Sequence, residues 1–268
     1  MIVDYHMHLR DGDGELAHTA SAVEPYVETA RAAGVAEIGF TEHVYYFTQS
    51  SSLWTVPYQI ERCRYELEPY VEAVLEAKRR GLPVKLGLEV DYVRGREAET
   101  AALLAPYPWD FLLGSVHFIE GFGVDGEPRL IDEVGVERAW RLYFDELSAA
   151  ARSGLFDSLS HPDLVKIFGR RVKDFDYGRF VDAAAQSGVA IEVSTAGLRK
   201  PVGELYPDPR LLAACRARGI AVTTASDAHA PQDVGRDFDR ARELLRSAGY
   251  TTVTVFERRV AHQVPLDE

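Results

Sequence analysis

The sequence predicts an α/β fold, with a parallel sheet closed into a single TIM-like barrel, and three observations carry that expectation. Strand, loop and helix recur in that order about seven times along the 268 residues. Such alternation builds a parallel sheet, open or closed. No linker or change of composition divides the chain, so one domain over 1–268 is expected, a ligand-bearing core over 1–240 followed by a helix, strand and tail over 241–268. Six of the seven strand candidates end in a residue able to ligate a metal. The carboxyl ends of barrel strands converge on one mouth, whereas an open doubly wound sheet concentrates its site at one switch point.

The first strand begins with Met1-Ile2-Val3 and delivers Asp4-Tyr5-His6-Met7-His8. Side chains two apart on extended backbone share a side, so His6 and His8 can face one ion. Arg10 to Ala20 is a polar loop containing His18. Ser21 is expected to cap a helix that runs to Gly34, with Glu24 completing a capping box. Ala36 to Thr41 reads as a buried strand ending in Glu42-His43. The aromatic and hydroxyl-rich stretch Val44 to Pro57 suits either a substrate lid or a packed loop. Tyr58 to Arg80 has helical periodicity up to Gly81, and Val84 to Val90 is a strand carrying Glu89.

A short helix over Glu97–Leu104 precedes a strand from Trp109 to Val116, with His117 after it. A Gly-rich excursion, Phe118 to Asp132, leads to a helix over Val134 to Ser153. The next strand, Phe156 to Ser160, ends in His161-Pro162-Asp163, and a basic loop with Lys166 follows. A helix over Tyr177 to Ser187 precedes the strand Val189 to Ser194 and then Arg199. Pro209 to Arg218 is a helix with proline in its first turn. Ile220 to Ala225 is a strand ending in Ser226-Asp227-Ala228-His229. A helix over Phe238–Ala248 and an extended run over Thr251 to Phe256 complete the pattern.

The composition is that of a globular chain, 46% hydrophobic and 27% charged. No apolar run approaches the roughly 20 residues that span a bilayer, and no export signal opens the chain. Cys63 and Cys215 suit neither a disulfide framework nor a thiolate site, so a cytoplasmic location is expected. A formal charge of −12 argues against nucleic-acid binding but not against a small anionic substrate held on cations.

The candidate ligands are His6, His8, His18, His43, Glu89, His117, His161, Asp227 and His229. Any one of them alone would be read as a capping, core or turn residue. Their recurrence at successive strand ends is what those readings leave unexplained, and burying them together without cations would be costly. They exceed the ligands of one zinc and suffice for two or three divalent ions, Zn, Mn or Fe, with Glu89 as a bridge.

The segments DYHMH, TEH, GLEVDY, GSVHF, SHPDLVK, STAGLRKP and SDAHAPQDVG together resemble the PHP (polymerase and histidinol phosphatase) family, in its monofunctional histidinol-phosphatase branch. The resemblance implies a distorted (β/α)7 barrel with a trinuclear site. It places His6, His8, Glu89 and Asp227 on one metal, Glu89, His117 and His161 on a second, and His18, His43 and His229 on a third. Where the family often has Thr-Asp-His, this chain has Thr41-Glu42-His43, so Glu42 is expected to orient His43 with a different reach. The implied activity is hydrolysis of L-histidinol phosphate to histidinol and phosphate, a step of histidine biosynthesis.

In the expected reaction a metal-bridging hydroxide attacks phosphorus, with Asp227, Glu89 and His229 as the catalytic residues. Arg199, after the one strand without a clear ligand, is assigned to the phosphate because a guanidinium matches it bidentately. Lys166 is a second candidate for the substrate, and Phe118, with Tyr45, Tyr46 and Trp54, could flank an imidazole ring. The alternatives are a phosphoesterase acting on another small ester, a nucleotide or phosphotyrosine, an amidohydrolase, and a non-catalytic metal-binding domain. An amidohydrolase usually bridges its metals with a strand-end lysine, and here the matching feature is Glu89.

Overall fold

The computed structural model describes residues 2–10, 16, 18–126 and 128–266. Most of the polar loop expected between Arg10 and Ala20 lies outside the described residues. The strands in chain order are β1 (Val3–Asp4), β2 (Glu37–Phe40), β3 (Val84–Leu86), β4 (Glu89–Asp91), β5 (Leu113–Ser115), β6 (Phe118–Ile119), β7 (Phe122–Gly123), β8 (Ser158–Leu159), β9 (Ala190–Ser194), β10 (Val222–Ala225), β11 (Thr252–Glu257) and β12 (Val260–Pro265).

Two parallel sheets, β1-β2-β3 and β10-β9-β8-β5-β4, join edge to edge. On one side β3 and β4 are consecutive pieces of one strand, tied to β2 by Gly87 N–H to Phe40 O and Glu89 N–H to Glu42 O. On the other, Tyr5 N–H donates to Thr224 O at 3.1 Å and His8 N–H to Ala228 O at 2.8 Å. Met7 and Ala228 form a parallel bridge there. The ring is therefore closed, parallel and seven-stranded if β3 and β4 are taken as one, as expected.

The barrel is filled at one end by Val3, Tyr5, Phe111, Leu113, Ala190 and Phe256. Tyr5 stacks on Phe111 with centroids 5.0 Å apart, and Phe111 stacks on Phe256 at 5.7 Å. Two strand glycines make room for Phe111: a Cβ on Gly39 or Gly87 would fall 2.6 or 2.7 Å from its Cζ. Phe256 comes from the antiparallel hairpin β11–β12, so the end of the chain plugs the barrel. At the opening strand Val3 and Tyr5 face this plug, His6 and His8 face the ligand cluster, and Met7 and Leu9 join the outer core. The alternation thus resets between Tyr5 and His6.

The helices α1 (Ala20–Ala32), α2 (Pro57–Arg62), α3 (Leu67–Arg79), α4 (Glu97–Leu104), α5 (Arg129–Val134), α6 (Val136–Arg152), α7 (Gly178–Ser187), α8 (Pro209–Ala217) and α9 (Phe238–Ser247) follow the expected order. Helix α6 buries Trp140, Tyr143, Phe144 and Leu147, a single stripe at helical spacing.

Three expectations need correction. The cap position of α1 is Thr19 rather than Ser21, and no side-chain cap bond forms. The helix expected over Tyr58 to Arg80 is two, because Arg64 and Tyr65 turn back to donate to Tyr46 O, and Thr48 N–H donates to Tyr65 O. The helix expected from Val134 starts at Val136, after Gly135 at φ +81° separates it from α5. The Val44 to Pro57 stretch is packed rather than lid-like: Val44, Phe47, Leu53 and Trp54 are buried, and Trp54 Nε1 donates to Ser50 Oγ.

Candidate metal centre

The strand ends bring eight of the nine predicted ligands to one place. His6, His8 and Asp227 present ligand atoms within 4.8 Å of one another, and so do His6, Glu89 and His161, His43, Glu89 and His117, and His8, His43 and His229. Glu89 is the hub. Its Oε1 lies 3.1 Å from His161 Nε2 and 3.5 Å from His117 Nε2. Its Oε2 lies 2.7 Å from His43 Nδ1 and 3.4 Å from His6 Nε2. Asp227 Oδ1 is 3.3 Å from His8 Nε2.

Three of the histidines are fixed from behind by carboxylates. His6 Nδ1 pairs with Glu192 at 2.8 Å, His8 Nδ1 with Glu42 at 3.1 Å, and His117 Nδ1 with Asp91 at 2.8 Å. A carboxylate only accepts, so in the neutral ring the proton sits on Nδ1 and the Nε2 lone pair points at the centre. There it meets carboxylate oxygens and other ring nitrogens. His6 Nε2, His8 Nε2 and Glu89 Oε2 are buried without a hydrogen-bond partner. Acceptors buried against acceptors need positive charge between them, which divalent cations or protons can supply.

The electrostatics reflect the same demand. Burial disfavours the imidazolium of His6, yet Glu192, Glu89 and Asp227 raise its pKa well above the ordinary value. Burial also opposes charge on His117, but Glu89 and Asp91 lift it to about 10. Burial pushes Glu89 upward, and His6, His117 and His43 together hold it well below the carboxylate range.

Local backbone serves the site. His161 and Asp227 adopt positive φ, +26° and +53°, conformations uncommon for residues with a Cβ. Tyr143 of α6 steadies the first by donating to His161 O and accepting from Leu164 N–H, both at 3.2 Å. Asp4 steadies the second through Ser226 N–H at 2.8 Å, and it also accepts from Gly235 N–H. Burial raises Asp4 to about 6.

His18 departs from the expectation. Its ring centroid lies 5.5 Å from those of Phe47 and Tyr70 and 5.8 Å from that of Tyr65. This aromatic cage keeps it out of every ligand group, and burial lowers its pKa. Lys166 also departs: it is fully buried, paired with Asp163 at 2.9 Å and donating to Leu205 O, so its charge is already used. Glu42 orients His8 through its ring, and meets His43 only at the backbone N–H. Arg199 follows β9, with Nη2 on Ser226 O and a buried Nη1 that has no hydrogen-bond partner. Phe118, with Tyr45 and Tyr58, lines a cavity of about 360 Å³ that opens beside His43 and His117. Trp54 and Tyr46 do not line it.

Glu192 and Asp91 are the contributors that the motif reading missed. Glu192 sits inside a strand rather than at its end, between the outward Ile191 and Val193, and it also accepts from His161 N–H at 3.1 Å. An acid on the inward face of a buried strand was the available signal. Asp91 carries a simpler one, being two residues after Glu89 on the same strand face.

The PHP domain model matches residues 4–196. A "Probable histidinol-phosphatase" of Deinococcus radiodurans is 34% identical over 250 residues, covering 91% of this chain and 94% of that protein. The histidinol-phosphatase of Bacillus subtilis is 28% identical, covering 80% and 89%. The crystal structure of histidinol phosphate phosphatase from Lactococcus lactis, complexed with zinc, L-histidinol and phosphate, superposes with a TM-score of 0.76. It is 24% identical, covers 97% of this chain and 98% of its own, and shows a shared fold. The chain belongs to the PHP domain family.

Proposed function

We propose that this protein is a metal-dependent phosphomonoesterase that hydrolyses L-histidinol phosphate to L-histidinol and phosphate. The observation that carries the reading is the convergence of eight candidate ligands, among which the buried His6 Nε2, His8 Nε2 and Glu89 Oε2 lack hydrogen-bond partners, with three rings braced by carboxylates. The substrate is supported by the names of relatives aligned over most of the chain, and by the contents of the Lactococcus lactis structure.

His6, His8, Glu89 and Asp227 would hold one divalent ion, Glu89, His117 and His161 a second, and His43 and His229, with His8, a third. Zinc is the ion in the Lactococcus lactis protein, and a site of imidazoles and carboxylates also suits Mn or Fe. When bound, such ions lower the pKa of water toward neutrality and offset charge on phosphoryl oxygens.

The chain's own groups supply position. Glu89 spans the ligand groups, so its two oxygens fix their spacing. Glu192, Glu42 and Asp91 hold three rings in the tautomer that leaves Nε2 free. Burial opposes charge on Asp227, but His6 and His8 keep its carboxyl well below the usual range. Asp227 is thereby held as an anion suited to a cation, and His229 stands at the mouth, 49% exposed. Arg199 offers its unpaired Nη1 to the phosphate. The cavity beside His43 and His117 takes the remainder of the ester.

The test is phosphate release from L-histidinol phosphate against a panel of phosphomonoesters and nucleotides. The expected result is a strong preference for L-histidinol phosphate. Preference for another ester would retain the site and discard the substrate.

A further inference from the structure

The short helix α2 is anchored by a polar side chain. Of its residues Pro57–Arg62 only Gln59 is buried, at 4% exposure, while Tyr58 and Ile60 are 44% and 52% exposed. A surface helix is ordinarily held by an apolar stripe. Here the buried group is an amide, which is tolerable only against a hydrogen-bond partner. That partner is Asp91, whose Oδ2 accepts from Gln59 Nε2 at 3.3 Å. The chain after α2 is tied separately, where Arg64 and Tyr65 N–H donate to Tyr46 O. Gln59 therefore seats the half of the helix that carries Tyr58.

Asp91 divides its oxygens between two duties. Oδ1 lies 2.8 Å from His117 Nδ1 and accepts from Ser115 Oγ at 3.5 Å, and Oδ2 meets only the Gln59 amide among the described residues. A carboxylate held at both oxygens cannot turn about its last bond without losing one partner. The amide thus fixes the plane in which Asp91 meets the imidazole. The residue before Gln59 stands on the wall of the cavity beside His43 and His117. There the Tyr58 ring has its centroid 5.9 Å from that of Tyr45 and 5.7 Å from that of Phe118. One buried amide links a candidate metal ligand with the wall of the adjoining cavity, and belongs to neither.

We propose that Gln59 is a positioning residue for the reaction: by seating α2 on Asp91 it sets both the His117 imidazole at the cluster and the Tyr58 ring on the cavity wall. The reaction served rests on the phosphomonoesterase reading, whereas the link from Gln59 through Asp91 to His117 does not. The position demands a neutral donor. A carboxylate there would face the Asp91 carboxylate, and an apolar side chain would leave Oδ2 buried without a partner.

The experiment measures zinc per chain in the full-length protein dialysed against a graded series of a weak chelator. It compares the wild type, Gln59→Leu, the isosteric Gln59→Glu, Asp91→Ala, and Asp91→Ala combined with Gln59→Leu. Both Gln59 variants should lose one ion at a chelator concentration roughly tenfold lower than the wild type. Because Gln59 acts through Asp91, Gln59→Leu should change nothing further in the Asp91→Ala background. Unchanged retention in the Gln59 variants, an equal loss from Gln59→Leu in both backgrounds, or a wild type that holds no zinc overturns the assignment. At saturating zinc, Gln59→Leu should raise KM for L-histidinol phosphate with kcat little changed, as the Tyr58 wall loosens. An unaltered KM overturns the part played at the wall. If the wild type hydrolyses no phosphate ester, the phosphomonoesterase reading fails, and zinc retention still decides whether Gln59 positions His117.

Discussion

Glu192 touches no reacting atom, yet it braces His6 through the ring and His161 through the backbone. Glu192→Gln keeps the shape but weakens the push on His6, and should reduce metal affinity roughly 10- to 100-fold. Metal content after dialysis against a weak chelator measures it; full retention would remove Glu192 from the site. His18→Ala should leave metal content unchanged, because the ring is caged by aromatics, whereas His43→Ala should lower it. Arg199→Ala should raise KM with little change in kcat, and unaltered kinetics would return Arg199 to the role of a structural side chain.

The protons on these histidines also predict a pH dependence. His117 in the metal-free protein has a pKa of about 10 against an ordinary 6.5. A raised folded-state value stabilises fully below the ordinary pKa, and that gain is lost as pH rises through the folded value. The melting temperature of the metal-free protein should therefore fall between neutral pH and pH 10, and cations in place of the protons should flatten the decline. A flat profile without metal would contradict this. At this scale the clustering of the candidate ligands was legible because histidine and acid types recur at strand ends. The braces were not, since Glu192 lies within a strand and Asp91 resembles any polar residue at a strand exit.

Elements were legible where a single periodicity ran unbroken. The α4 bounds, Glu97–Leu104, also matched, with Glu97 and Glu99 in the first turn, where carboxylates favour a helix start. The helix expected over 58–80 broke because Arg64 and Tyr65 bond to the Tyr46 backbone, a tertiary pairing that no local pattern announces. In the strands, glycine has a steric purpose that only packing reveals. Gly87→Ala would drive a methyl group to within 2.7 Å of the Phe111 ring and 2.8 Å of Thr41 Cγ2. Overpacking at such a site costs about 1–3 kcal/mol, read as a lowered denaturation midpoint at unchanged m-value. An unchanged midpoint would mean that Phe111 relocates freely.

For the whole molecule, the alternation of strands and helices carried the closed barrel, and the ring seals where Tyr5 and His8 bond to Thr224 and Ala228. The closing hairpin was only half legible. The extended run near Thr251 was apparent, but the return strand and the plugging role of Phe256 depend on contacts with Tyr5 and Phe111, distant in sequence. No described helix is long and apolar enough to cross a membrane. Closure and charge serve one end: acids and imidazoles from successive strands are forced together, and cations make that arrangement tolerable.

The central claim is that those cations make the site a phosphatase for L-histidinol phosphate. The direct measurement is phosphate release from that ester by the protein as purified, after complete chelation, and during titration with zinc or manganese, with bound metal counted at each step. Activity should vanish on chelation and return in proportion to metal bound at the His/Glu cluster. Undiminished hydrolysis by metal-free protein, or none by the fully metallated protein, would contradict the account.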